Sequence, residues 1–288
     1  EDLPIVSPHG HTNPAWFANN IPFGNPSELF IIPDHYLFRM LYSQGIPLEE
    51  LGIRSARGDS PESNPRKIWK KFAEYQYLFR CTPSRIWLDH ALYYVFDIRE
   101  TLSPETSETI YNQIQHKLQQ HEFLPRALFD RFQIETLTTT ESPLDDLRHH
   151  KNIRKSGWKG NIITAFRPDQ VVDPSSQNFA ENVEELGLLT HENCKTWHGY
   201  LKALASRREF FKSMGATSTD HGHPSAFTAD IEKMECEKLF SEALQGNLKE
   251  TEAELFRGQM LTEMAKMSLD DGLVMQLHPG SFRNHNSE

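Results

Sequence analysis

The sequence predicts a parallel α/β fold, on three observations. From about residue 133 onward, short runs rich in β-branched residues alternate with amphipathic helical stretches. Each run stops on polar, reactive residues. One more run of this kind lies at the N-terminus, ahead of a long helical segment. Strands alternating with helices build parallel sheets, whose chemistry collects at the carboxyl ends of the strands. Five strands are visible. Five are enough for an open doubly wound sheet, whereas a (β/α)8 barrel needs three more.

The elements are taken in chain order. Pro4-Ile5-Val6-Ser7 reads as a first strand, and Pro8-His9-Gly10-His11-Thr12-Asn13-Pro14 ends it. Side chains alternate along a strand, so His9 and His11 face one point. Neutral imidazoles are common zinc ligands and suit first-row divalent ions generally. An isolated His-x-His after an edge strand is also consistent with an ordinary turn, so this motif gains its weight from the rest of the chain.

From Phe23 to about Arg131 no alternating strand pattern stands out, and the chain reads as helices punctuated by Pro and Gly. Asp34 is placed to cap the helix that begins His35-Tyr36-Leu37-Phe38-Arg39. Trp69, Phe72, Tyr75, Tyr77 and Phe79 read as a packed aromatic cluster, and Thr106 to His121 as an amphipathic helix. Ile134 to Thr140 is a strand by β-propensity. Ser142-Pro143 should start a helix through Asp145 and Asp146 to Lys155, with acids and bases matched to its dipole. Asn161 to Phe166 is a strand ending on Arg167-Pro168-Asp169. A helix over about 192–214 leads to a strand at Ala216–Thr219, which ends on Asp220-His221-Gly222-His223. Helices over about 228–243 and 249–267 come next, the second with a core stripe of Phe256, Met260 and Met264. Leu273 to Leu277 is the last strand, ending on His278-Pro279-Gly280-Ser281-Phe282-Arg283.

Composition narrows the function. A chain of 288 residues can bury a large core. A net charge of −10 and a pI of about 5.8 argue against nucleic acid or a membrane surface as a partner. An anionic ligand would need locally gathered arginines. Cys81, Cys194 and Cys236 are widely spaced and form no CxxC, so reduced thiols and a cytoplasmic location are expected. No apolar run approaches the length of a membrane span and no signal peptide is recognisable.

Taken together, the blocks HGH, PDHYLFRML, TTTESPLDDLRHH, AFRPD, STDHG and QLHPGSFRNHN resemble the uronate isomerase family, also called glucuronate or galacturonate isomerase, of the amidohydrolase superfamily. The blocks occur in the family's order and span nearly the whole chain. The resemblance implies a distorted (β/α)8 TIM barrel of the metal-dependent hydrolase type, with a helical insertion after the first strand. Residues 1–22 would then hold the first barrel strand and the metal-binding turn, 23–132 the insertion, and 133–288 the second to fifth strands. The later strands, including the one whose aspartate is a metal ligand in the family, are absent from this sequence, so a longer protein is expected.

The resemblance implies interconversion of an aldohexuronate and a ketohexuronate with one divalent ion, usually zinc. His9 and His11 are the expected metal ligands. Tyr36 is the family's candidate for proton transfer at the substrate hydroxyls, with His35 beside it. His278 matches an active-site histidine, as a third ligand or a substrate donor. Asp220, with His221, is expected to orient ligands or act on substrate, or else to cap the next loop. Arg167 and Arg283 end strand-loop segments and suit a carboxylate through paired hydrogen bonds. Arg39, one turn after His35, is a further substrate-binding candidate. His116, His121, His149 and His150 read as solvated residues on helix faces. The expected partner is a small hexuronate, with the protein a homo-oligomer. A metal-dependent hydrolase and a noncatalytic sugar-acid-binding protein are the alternatives, because a fold does not fix a reaction.

Overall fold

The computed structural model describes residues 3–56 and 58–280. They fall into two compact units, one built from residues 3–19 and 129–280 and the other from Asn20–Leu128.

The first unit contains one sheet of five strands: β1 (Ile5–Ser7), β2 (Ile134–Glu141), β3 (Asn161–Phe166), β4 (Ser218–His221) and β5 (Val274–Leu277). All pairs are parallel and the spatial order is the chain order. A doubly wound sheet reverses its strand order at a switch point, and this one never does. Its order is that of a distorted barrel, so the sequence alternatives resolve in favour of the TIM-type fold. The longest ladder joins β2 to β3, from Thr136↔Asn161 to Glu141↔Phe166.

β4 is shifted from its expected position. It covers Ser218–His221 instead of Ala216–Thr219, and Asp220 and His221 lie inside the strand. Asp and His have little intrinsic preference for strands. Here β3 on one side and β5 on the other supply the ladder, through Ala165↔Ser218 and Asp220↔Gln276.

Helices line the strands. Phe166 of β3 meets Phe211 edge-on at 5.1 Å, and the core continues through Tyr200, Phe240, Phe256, Met260 and Met264. The Phe256, Met260 and Met264 stripe is buried as its spacing implies. Arg208, 1% exposed, is held within this unit by both carboxylate oxygens of Asp271 and by Ser268 Oγ. A helix over Phe179–Thr190 joins the expected ones; the helix after it is Trp197–Ser213, and the last two are Lys233–Leu244 and Glu250–Asp271.

The segment after β2 also differs from expectation. Ser142 to Asp146 form turns, and the helix begins at Arg148. Leu147 is buried in the left-handed region at φ 54°, and the Asp145 and Asp146 side chains accept from the N–H groups of Leu147 and Arg148. The two acids therefore cap the helix from outside it.

In the second unit no strand occurs among the described residues. Its helices Pro26–Phe30, Pro65–Tyr75 and Pro83–His90 open alike, with Asn25, Asn64 or Thr82 accepting from the first turn and Pro at its start. That combination satisfies orphan N–H groups and presets φ. Trp69, Phe72 and Phe79 are core as expected, with Trp69 Nε1 donating to Ser107 O at 3.0 Å; Tyr77 is outside it, 55% exposed.

Candidate active site

β1 ends at Ser7, so His9 and His11 lie in the loop beyond the strand and do not owe their convergence to strand alternation. Their Nε2 atoms are nevertheless 3.3 Å apart. The loop is pressed onto β2: a Cβ at Gly10 would sit 3.1 Å from Thr138 O. Ser7 Oγ donates to His9 O at 3.2 Å. Thr140 Oγ1 lies 2.9 Å from His11 Nδ1 and 3.3 Å from Gly10 O. A hydroxyl has one proton, so both contacts are satisfied when Thr140 donates to Gly10 O and accepts from His11 Nδ1–H. That tautomer leaves the Nε2 lone pair of His11 directed towards His9. The rim of His11 is exposed, yet the protein packed about its ring and the Arg167 charge lower its basicity.

β4 and β5 complete the cluster. Asp220 is fully buried, with Oδ2 3.6 Å from His9 Nε2 and Oδ1 2.7 Å from His278 Nε2. The backbone N–H of His278 donates to His221 O at 3.1 Å, extending the ladder by one residue and fixing the ring's origin. The His278 contact is short, but no aligned hydrogen bond reaches either Asp220 oxygen or His278 Nε2. Buried polar atoms are almost always satisfied. His9, Asp220 and His278 each offer a ligand atom, all within 4.8 Å of one another.

These residues fit a divalent ion. In a tetrahedral site with bonds of about 2.0–2.1 Å, neighbouring ligand atoms lie roughly 3.3 Å apart. The His9–His11 spacing matches this, and the unsatisfied Asp220 oxygens are what a cation would satisfy.

Arg167 comes directly after β3. Its Nε donates to Asp169 Oδ2 at 3.0 Å and its Nη1 is 3.3 Å from Asp220 Oδ2. The arginine is thus set against two carboxylates. Tyr36, His35 and Arg39 belong to the helical unit. Asp34 caps their helix, His35–Ser43, accepting from Tyr36 N–H and Leu37 N–H. Tyr36 is 66% exposed, its ring centroid 4.3 Å from that of His35, and Arg39 is exposed one turn on. Arg283 lies outside the described residues.

Sequence reasoning misplaced His150 and missed Glu141, whereas His221 was a candidate from the start. His150, expected to be solvated, is 2% exposed. Its Nε2 is 2.9 Å from Thr139 Oγ1, which itself donates to Ile163 O, so His150 Nε2 carries the proton. Glu141, at the end of β2, accepts from Thr164 Oγ1. His221 is also buried, with Nε2 2.8 Å from Thr219 Oγ1; burial and the neighbouring His223 push it down to about 3, so it is neutral.

Burial pushes the Glu141 carboxyl up to about 7, against the Thr164 hydrogen bond, and pushes His150 down to about 4. Both are therefore neutral near pH 5.5. A raised carboxyl favours folding below its unfolded value near 4.5 and loses that contribution as pH rises to 7. A depressed histidine contributes stability above its unfolded value near 6.5 and loses it as pH falls to about 4. Between 4.5 and 6.5 the folded chain holds one proton on Glu141 and the unfolded chain one on His150, so the two slopes cancel. Urea denaturation should expose each half. Glu141→Gln is expected to gain roughly 3 kcal/mol as pH rises across the His150 window, and His150→Asn to lose roughly 3 kcal/mol as pH rises across the Glu141 window. Flat profiles in both variants would contradict the neutral pair.

Comparison with known proteins identifies the family and the fold. Residues 1–288 match the family model described as glucuronate isomerase. Uronate isomerase from Xanthomonas axonopodis pv. citri is 57% identical over 286 residues, covering 99% of this chain and 61% of its own length. Uronate isomerase from Phenylobacterium zucineum is 55% identical over 287 residues, covering 100% and 60%. The crystal structure of glucuronate isomerase from Caulobacter crescentus superposes with a TM-score of 0.95 at 52% identity, covering 99% of this chain and 59% of that one. Uronate isomerase from Thermotoga maritima superposes at 0.90 with 26% identity, covering 99% and 61%. The chain thus spans about three fifths of the length of the relatives it matches. With the family model matched over residues 1–288, the chain belongs to the glucuronate isomerase family.

Proposed function

We propose that the protein carrying this chain is a uronate isomerase, interconverting D-glucuronate with D-fructuronate and D-galacturonate with D-tagaturonate. The observation that carries the reading is the convergence of His9, His11, Asp220 and His278 at the carboxyl ends of β1, β4 and β5, in a chain of this family. These side chains would hold one divalent ion, with zinc expected from the imidazole-rich set. When bound, such an ion stabilises oxyanion charge and positions a substrate.

The reaction removes a proton from C2, delivers one to C1 and moves the O2 proton to O1, through an enediol. It needs proton-transfer groups at the carbons and oxygens and a cation for the C6 carboxylate. Tyr36, with His35 beside it, is assigned to proton transfer at the hydroxyls. Asp220 and His278 hold and orient the reacting end, His278 as a ligand or a substrate donor. Arg167 and Arg283 are assigned to the carboxylate, and Arg39 to a supporting substrate contact.

No helix among the described residues is long and apolar enough to cross a membrane, and the three cysteines are free. The free thiols support a cytoplasmic location. A homo-oligomeric state belongs to the same proposal and is checked by native mass measurement. To test the activity, the full-length protein is assayed with the two aldohexuronates and with amide and ester substrates. Ketose formation without acid release is the expected result; hydrolysis without ketose would overturn the reading in favour of a hydrolase.

A further inference from the structure

Asp169 stands beside the site with no role yet assigned. It begins a helix of only four residues, Asp169–Val172, where an acid is ordinarily explained by capping. Its carboxylate does not cap that helix. Oδ2 accepts from Arg167 Nε at 3.0 Å and from Gly222 N–H at 3.2 Å, and Oδ1 accepts from the same Gly222 N–H at 3.1 Å. A surface ion pair is no better an account, since the Arg167 and Asp169 side chains are 19% and 24% exposed.

These contacts span two strand ends. Arg167 is the first residue after β3, and Gly222 the first after β4, two residues beyond Asp220. The packing leaves no space at Gly222, where a Cβ would fall 2.7 Å from Asp169 Oδ2, 2.8 Å from Arg167 Nη2 and 3.1 Å from His278 Cε1. The Asp169 backbone is tied on its other side, its carbonyl accepting from Asp173 N–H at 3.0 Å and Ser176 Oγ at 3.1 Å. A fixed backbone thus presents a carboxylate that takes the Nε edge of the guanidinium. Nη1 is then turned to Asp220 and Nη2 to the Gly222–His278 side, and these nitrogens carry the donors that remain for a ligand.

We infer that Asp169 is the positioning residue for Arg167, aiming its outer nitrogens at the carboxylate of a hexuronate while locking the β3 and β4 loops together. This rests on the assignment of Arg167 to the substrate carboxylate. Asp169→Asn keeps the shape but puts an amide donor against Gly222 N–H or Arg167 Nε.

In the full-length protein with D-glucuronate, Asp169→Asn should raise KM roughly ten- to a hundredfold and change kcat by less than about threefold, the pattern of lost uniform binding. Arg167→Met should raise KM at least as far. The double variant should be no worse than Arg167→Met alone, because Asp169 acts through that side chain. A purely structural Asp169 would instead add its own loss to the double variant, and that outcome, or an unchanged KM in Asp169→Asn, overturns the inference. Asp169→Ser, which is smaller, serves should Asp169→Asn not fold. A crystal structure of the variant decides independently of turnover: a guanidinium displaced from Asp220 supports the inference, and an undisplaced one overturns it. If the parent protein does not act on D-glucuronate at all, the isomerase reading fails while this structural comparison still stands.

Discussion

Replacing His9 and His11 together by alanine in the full-length protein is expected to abolish metal binding and, with it, activity. The Nε2 atoms of the two rings stand 3.3 Å apart, and the oxygens of the fully buried Asp220 receive no aligned hydrogen bond. Two ligands lost from one ion should reduce bound metal from about one ion per chain to a small fraction of that, with turnover falling on the order of a thousandfold. Elemental analysis of dialysed protein reads the first effect directly. Thr140→Val extends the test outward. It removes the hydroxyl that fixes the His11 tautomer, and loss of such a supporting partner costs roughly ten- to a hundredfold in metal affinity. Equal metal content in the parent and the double-alanine variant would refute the centre.

Tyr36→Phe is expected to lower kcat by roughly a hundredfold or more while KM changes little, because the hydroxyl is assigned to proton transfer and not to binding. The structure makes this a clean substitution. Tyr36 is 66% exposed, and its helix is capped through its backbone N–H, which the variant keeps. Stability should therefore stay within about 0.5 kcal/mol. A variant that turns over normally removes Tyr36 from the mechanism; one that melts early makes it a packing residue.

Which parts were legible in the sequence has physical reasons. β2 and β3 are rich in β-branched residues, and both lie close to where propensity puts them. β4 consists of Ser, Thr, Asp and His, all buried, and is a strand only because its neighbours pair with it. The helix Phe179–Thr190 lacks the usual boundary signals: Asn178 and His191 flank it in the left-handed region, and neither a side-chain cap nor a proline marks its start. His9 and His11 were visible as a pair, although a loop pressed onto β2 brings them together and strand alternation does not. Asp220 and His278 were visible as reactive residues near strand ends; their meeting required β4 and β5 to be neighbours. Tyr36 and Arg39 entered through the family resemblance, since nothing in their spacing marks them. The partnerships of Asp169 with Gly222 and of Glu141 with Thr164 could not be read from sequence, because the first joins the segments that follow β3 and β4 and the second joins β2 to β3, and both depend on strand register.

The proposed isomerisation moves hydrogen within a hexuronate and breaks no carbon–carbon or acyl bond. Carbon NMR of D-glucuronate labelled with carbon-13 at C1, incubated with the full-length protein, follows that hydrogen transfer at the carbon where it ends. The anomeric signal is expected to decay as a hydroxymethyl signal of D-fructuronate grows, with the label conserved in a six-carbon product. An anomeric signal that persists unchanged, or label appearing in a smaller product, would contradict it.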